Sequence, residues 1–340
     1  MANTIGLMGF GRIGRNVFRL LYKRDDIKIG AISDVSDGPG LQYLLRFDTL
    51  LGRFPDEVSI KEGSLYVYGK QIVMLSKQEK GVIPPWGDLG VDIVLDATAR
   101  TQTRKELEKH LEAGAKRVIL CSPPADALDL TVVRGINDGE LKAGHRIISN
   151  ASSTVHCVAP IAKILLQAFG IEKALFTTMH AITNQHRLAD VPMEDKRRGR
   201  AAAENIIPQD SRSPGMIIDL IPELKGRLVG SAMNVPVRNG SVVDLVCWHE
   251  RKVSIEAVNE VVRTAAASRW NGVVAYQDEP IVSSDVAMSD ESCTFDSLAT
   301  MTLGDRVSKT LSWYDAGWGY ANRVVELVER YFELDREVAK

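Results

Sequence analysis

The residues most suited to chemistry lie at the start of the chain, where Gly9-Phe10-Gly11-Arg12-Ile13-Gly14 fits the pattern G-x-G-x-x-G. Glycines at that spacing also serve ordinary turns, so the flanking sequence decides. Here the motif follows an apolar run, Thr4 to Phe10, and opens an amphipathic one, Ile13 to Lys23. Asp34 closes the next apolar run, Ile27 to Ser33, about 20 residues further on. In such a strand-turn-helix the glycines let the backbone approach a pyrophosphate, and the helix N-terminus offers it N–H groups. A carboxylate at Asp34 accepts ribose hydroxyls and repels a 2′-phosphate, which predicts NAD in preference to NADP.

A second cluster, Ser149-Asn150-Ala151-Ser152-Ser153-Thr154-Val155-His156-Cys157, follows an apolar run and opens a helix. Its hydroxyls and N-terminal N–H groups suit an anion or an oxyanion, although a serine-rich helix cap explains the same residues. His180 ends another apolar run at the mouth of a polar loop, where acid–base work and a structural role are both open. The four cysteines, Cys121, Cys157, Cys247 and Cys293, are far apart. No metal site and no disulfide framework is expected from that spacing.

The elements that must position these residues fall into two patterns. Up to about residue 150, short apolar strands alternate with helices. After Ile27 to Ser33 come Val91 to Ala97, a helix from Arg104 to Ala113 closed by Gly114, and strands at Arg117 to Cys121 and Arg146 to Ser149. That order predicts an α/β, doubly wound parallel sheet, with hairpin-like excursions over Tyr43 to Val73. Beyond it, a helix over about Val155 to Phe169 leads into Ala174 to His180 and a polar loop from Thr183 to about Arg200. The alternating runs Leu228 to Val235 and Ser241 to Trp248 predict a mostly antiparallel sheet in an α+β domain. A final helix is expected from about Gly319. The expected division is residues 1–152, onto which the C-terminal helix of about 319–340 packs back, and residues 153–318. A net charge of -2 argues against nucleic acid, and no apolar run reaches membrane-spanning length. A cytoplasmic location is the expectation.

The chain resembles the phosphorylating glyceraldehyde-3-phosphate dehydrogenases over nearly its whole length. The resemblance rests on the glycine motif through Arg15, Phe47-Asp48 with Gly52-Arg53-Phe54, Ser149 to Pro160, and His180-Ala181. It extends through Asn205-Ile206-Ile207-Pro208, Ser241 to Leu245, Trp313-Tyr314-Asp315 and Trp318-Gly319-Tyr320. Erythrose-4-phosphate dehydrogenases share the plan. The resemblance implies NAD held by the glycine motif, Asp34 and Thr98. It also implies a homotetramer with the loop of residues 183–205 between subunits, and a phosphorylated aldehyde and inorganic phosphate as partners. In that chemistry a cysteine thiolate attacks the aldehyde, hydride leaves for NAD, and phosphate cleaves the thioester.

The histidine that serves the thiol maps onto His180, and the nucleophile maps onto Ser153. A serine hydroxyl is far less acidic than a thiol, so oxidative phosphorylation is expected to be nearly lost. A deliberate Cys→Ser replacement fits the intact frame. Natural divergence fits the scattered departures at Met8, Ala99, Thr101, Val155, His156 and Ala316-Gly317. By position, Ser152, Thr154 and Ser211 fall on the inorganic-phosphate side, and Thr183 and Gln185 on the substrate-phosphate side. The family's arginine there is Asn234, with Arg238 four residues later. Arg212 replaces a glycine beside Ser211, and Arg198 completes a set of guanidinium groups suited to phosphate. Val191-Pro192 matches a pair that favours NAD.

Overall fold

A computed structural model describes residues 3–338. By internal packing the chain divides into two compact units. One holds the chain up to Val132, Glu140–Ala151, and the chain from Ala321 onward; the other holds Val133–Gly139 and Ser152–Tyr320.

The first unit begins with β1 (Asn3–Met8), α1 (Arg12–Leu21) and β2 (Ile27–Ser33). Burial of Val17, Phe18 and Leu21 on one face docks α1, and β1 pairs in parallel with β2. The strand expected to reach Phe10 stops at Met8, because Gly9 turns the backbone to φ +93°. The region read as hairpins begins instead with a helix, α2 (Gly38–Arg46). Asp37 caps it by accepting the Gly40 N–H at 2.7 Å, and Leu41 and Leu45, four apart, supply its buried face. The glycines in its first turn hide that helix from a periodicity reading.

A small hairpin follows, β3 (Phe47–Asp48) with β4 (Gly52–Arg53), then a meander of β5 (Val58–Lys61), β6 (Ser64–Val67) and β7 (Lys70–Leu75). β7 pairs in parallel with β2, so the meander extends the main sheet as an antiparallel edge. The remaining elements of this part are β8 (Ile93–Asp96), α3 (Arg104–Glu112), β9 (Arg117–Leu120), β10 (Leu130–Thr131) and β11 (Ile147–Ser149). A capping box starts α3: Thr103 N donates to Glu106 at 2.8 Å, and Glu106 N to the Thr103 hydroxyl at 3.3 Å. The nine strands run β10-β11-β9-β8-β1-β2-β7-β6-β5. β1 lies centrally between β8 and β2, which puts the glycine turn at the carboxyl end of the sheet.

The second unit opens with α4 (Ser153–Phe169), whose residues 154–162 are all buried, while Gln167 near its end is exposed. Then come β12 (Lys173–Ala181), β13 (Ile207–Gln209), α5 (Ser213–Leu220), β14 (Leu228–Val235), β15 (Ser241–Trp248) and α6 (Ile255–Ala266). β16 (Val274–Gln277), β17 (Cys293–Leu303) and β18 (Val307–Tyr314) complete the sheet, in the order β13-β14-β12-β15-β18-β17-β16. Only the β12/β14 and β16/β17 pairs are parallel. The fold class is therefore α/β, a doubly wound parallel sheet joined to a mostly antiparallel α+β domain. The last helix, α7 (Trp318–Val338), is tied into the first unit beyond Ala321. Asp335 pairs with Arg117 at 2.7 Å, and the Tyr331 hydroxyl donates to the His145 carbonyl at 2.9 Å.

Candidate active site

In the first unit, the three glycines have three different physical reasons. Gly9 sits at positive φ, and a Cβ on it would lie 2.9 Å from the Ala97 carbonyl. A Cβ on Gly14 would lie 2.3 Å from the Gly9 carbonyl oxygen, so helix and turn pack only through a bare α-carbon. Gly11 has an ordinary φ of -71°, and a Cβ there would meet nothing within 4 Å. Its bareness serves no internal contact and leaves room for a ligand. As the N-cap of α1 it also brings no side chain to the helix end.

Asp34 holds this turn as well as facing outward from it. One carboxylate oxygen accepts the Phe10 N–H at 2.7 Å and the other the Ser36 N–H at 2.8 Å. Each retains acceptor capacity for a ribose hydroxyl. The Phe10 ring turns into the core, edge-on to Phe18, so only its backbone belongs to the turn. Arg12 and Ile13 are half-buried in the first turn of α1. Thr98 follows β8 and donates its hydroxyl to Asp96 at 2.7 Å. Asp96 is buried with His110, whose Nδ1 accepts the Trp86 indole N–H at 2.9 Å, and with Gln102. Burial works against the Asp96 charge, but hydrogen bonds from His110 and Thr98 outweigh it and hold the carboxyl below its usual range. The glycine turn and this anchored loop fit the phosphates and ribose of a dinucleotide.

In the second unit, Ser153 is the first residue of α4 and half-buried. The preceding Ala151 holds φ +49°, a conformation uncommon for a residue with a Cβ. Ser152 caps α4 through its hydroxyl, which accepts the Val155 N–H at 3.3 Å. Thr154 turns inward, its hydroxyl 3.0 Å from the Tyr314 hydroxyl, and Thr178 reaches the same phenol at 3.3 Å. His180 stands edge-on to the Tyr314 ring, with centroids 6.1 Å apart. Tyr314 thus ties the start of α4 to the end of β12, a role the sequence did not signal beyond its place in a matching stretch. Burial pushes its phenol up to about 12, keeping it protonated. His180 Nδ1 lies 2.7 Å from the Ala181 carbonyl, which can only accept. The neutral ring therefore carries its proton on Nδ1 and its basic lone pair on Nε2.

All four cysteines are buried. Burial first, and then the neighbouring Cys293 thiol, pushes Cys157 well above the usual thiol range. Burial pushes Cys247 up to about 12 and Cys121 upward as well. Among the described residues no cluster of three or more His, Cys, Asp or Glu could hold a metal ion. Nor is any helix long and apolar enough to cross a membrane.

Each anion-binding candidate has its own surroundings. The Ser211 hydroxyl accepts the Ser213 N–H at 3.2 Å, and Arg212 lies exposed at the start of α5. Arg198 is half-buried, with a buried Nε that has no hydrogen-bond partner among the described residues. Arg238 is exposed in the turn between β14 and β15, and Gln185 is exposed in the polar loop.

Thr183 belongs to a compact polar relay. His186 Nδ1 lies 2.9 Å from the Thr183 N–H and 3.1 Å from its hydroxyl. His186 Nε2 lies against one end of the Asn234 side-chain amide, and Gln209 meets the other end. Asn234 is only 1% exposed and sits directly opposite His180 across the parallel β12/β14 pair. His186 and Gln209 had no signal in the sequence, because the loop and β13 meet Asn234 only once the sheet has formed.

Comparison with known proteins assigns the lineage. The family model described as glyceraldehyde 3-phosphate dehydrogenase, NAD binding domain, matches residues 3–104, and that of the C-terminal domain matches residues 152–316. The glyceraldehyde-3-phosphate dehydrogenase of Geobacillus stearothermophilus is 45% identical over 328 residues, covering 96% of this chain and 97% of that protein. That of Streptomyces coelicolor is 46% identical over 330 residues, covering 96% and 98%. That of Mycobacterium leprae is 43% identical, covering 96% and 98%. The chain belongs to the glyceraldehyde-3-phosphate dehydrogenase family of NAD-dependent oxidoreductases, and NAD is its cofactor.

Proposed function

We propose that this protein is an NAD-binding aldehyde dehydrogenase of its family in which oxidative phosphorylation of glyceraldehyde 3-phosphate to 1,3-bisphosphoglycerate is nearly extinguished. One observation carries the reading: the nucleophile position is a serine, and every cysteine of the chain is buried. The unit with the glycine turn would serve as the NAD domain, held by the backbone of Gly9 to Gly14, Asp34 and Thr98. The unit from Ser152 would serve as the catalytic domain. NAD, when bound, supplies the hydride acceptor.

His180 would take the Ser153 proton at Nε2, while its Nδ1–H stays on the Ala181 carbonyl. That carbonyl orients the ring but stabilises an imidazolium less than a carboxylate does, so the serine is weakly activated. An attacking alkoxide is also harder to generate than a thiolate near neutral pH. Ser152, Thr154, Ser211 and Arg212 are the proposed groups on the inorganic-phosphate side, Thr183, Gln185 and Arg238 those on the aldehyde side, and Arg198 is a further guanidinium for phosphate. A homotetramer with residues 183–205 at subunit contacts belongs to the same reading. Leu188, largely exposed in that segment, supports it, and a monomer by light scattering would remove it.

Ser153→Cys tests the chemistry, with NADH formation followed on glyceraldehyde 3-phosphate and on erythrose 4-phosphate, each with inorganic phosphate. The expected gain is on the order of 10³-fold or more. Preference for erythrose 4-phosphate would move the assignment to that substrate. No gain while NAD still binds would leave a non-catalytic NAD-binding protein.

A further inference from the structure

A doubly wound sheet takes its ligand in the crevice where the chain leaves two neighbouring strands in opposite directions. In the first unit that point falls between β1 and β8, whose last residues, Met8 and Asp96, pair directly. The glycine turn forms one wall of the crevice, and the loop of residues 97–103 forms the other. The two walls meet, since a Cβ on Gly9 would lie 2.9 Å from the Thr98 backbone nitrogen. We propose that His110 is a positioning residue for the dinucleotide, acting through Asp96 to set the Thr98 wall of this crevice. This rests on the reading of the glycine turn and Thr98 as the NAD site.

The two oxygens of the buried Asp96 carboxylate have separate partners. Oδ1 accepts the Thr98 N–H at 3.1 Å and the Thr98 hydroxyl at 2.7 Å. Oδ2 accepts from the Gln102 amide and faces His110 Nε2 at 3.4 Å. The donors on Oδ2 therefore fix the angle at which Oδ1 meets Thr98. Asp96 also ties Thr98 and Gln102 on either side of Ala99, whose φ of +58° is uncommon for a residue with a Cβ. Such a conformation persists only where its surroundings hold it.

The proton on His110 is dictated from behind. Trp86 is fully buried, packed with Val91, Val94 and Ala115, and its indole N–H can only donate. It points at His110 Nδ1 from 2.9 Å, so that nitrogen keeps its lone pair and the ring proton sits on Nε2, facing Asp96. A packed core side chain thus sets a proton, the proton orients a carboxylate, and the carboxylate holds the wall. His110 itself is only 1% exposed, so its effect on a ligand runs through Asp96.

Two amide substitutions separate positioning from a plain structural role. In length, Asn matches the Nδ1 side of the ring and Gln the Nε2 side. His110→Asn keeps an acceptor for Trp86 and removes the donor to Asp96, whereas His110→Gln keeps that donor and leaves Trp86 unpaired. Both should unfold at lower urea concentration than the native chain. NAD affinity, titrated by calorimetry, should fall about tenfold in His110→Asn and stay within about threefold in His110→Gln. Without NAD, hydrogen exchange over residues 97–103 should quicken in His110→Asn alone. Affinity losses that are equal in the two variants, larger in His110→Gln, or absent from both overturn the proposal. Should either variant fail to fold, Thr98→Val decides, because it cuts the hydroxyl tether at a half-buried position. Faster NAD-free exchange over residues 97–103 then supports the proposal, and native exchange overturns it. A Gly11→Ala chain that binds NAD as the native chain does would defeat the site reading. The exchange comparison, made without NAD, would still judge the hold of His110 on the wall.

Discussion

The glycine turn of the first unit and the polar cluster around Asn234 in the second both lie beside a strand end. They differ in what their bareness or saturation leaves over. Around Gly11 the turn has open space and a helix end with no side-chain cap, while Gly9 and Gly14 are held by contacts no larger residue could make. Around Asn234 each polar group already engages a neighbour. The first arrangement leaves space and helix N–H groups open, and the second ties its side chains to one another. The two clusters depend on separate sets of contacts, so a change in one leaves the other intact.

Beyond the gain from Ser153→Cys, the largest effect is expected at the glycine turn. Gly14→Ala forces a Cβ against the Gly9 carbonyl and should cost about 3 kcal/mol of stability together with NAD binding. A well-folded Gly14→Ala chain that binds NAD normally would show that the turn is looser than its contacts imply. Gly11→Ala sharpens the contrast: stability should change by less than about 1 kcal/mol, because φ is ordinary and the space is empty. Its NAD affinity should still fall about tenfold or more, roughly 1.4 kcal/mol, by calorimetric titration. Equal losses in the two variants would mean that Gly11 is structural after all.

Asp34→Ala removes the acceptor for Phe10 and Ser36, with an expected cost of about 1 kcal/mol. NAD should bind more weakly and its advantage over NADP should shrink, as read by competition between the two. The smallest effect lies in the second unit. His249 is buried, hydrogen-bonded to Gly170 and Ser308, and burial lowers its pKa despite the Gly170 bond, which raises it. The unfolded chain then takes up the proton first, so this contribution is intact above about pH 6.5 and is lost as pH falls below it. Hydrogen-exchange protection around β15 should decline from pH 7 towards 5.5, and His249→Gln should flatten that decline. In the first unit, Asp96 acts at much lower pH, since its depressed pKa keeps its contribution until the solution falls into the carboxylate range.

Much of the frame was legible along the chain. β2, β14 and β15 begin and end where their apolar runs do, because strand burial repeats every two residues and is visible locally. The strand-turn-helix at Gly9 was legible for the same reason, being one continuous stretch with its acid on the next strand. The helix at Gly38–Arg46 was not, since two glycines and a proline open it and its stability comes from Asp37 and two buried leucines. His180 could be singled out, but its tautomer depends on a carbonyl contact that only coordinates reveal.

Residue identity by itself determined that no cysteine stands at position 153, that an acid stands at 34, and that Asn fills position 234. Only the tertiary structure decided that the four thiols are all buried, that Tyr314 joins Thr154 to Thr178, and that Asn234 meets both His186 and Gln209. The reason is the range of the interactions. The cofactor turn is built from neighbours in sequence and can be read from spacing. The contacts around Asn234 and Tyr314 pair strands and a loop from distant parts of the chain, so they exist only after the sheet has formed.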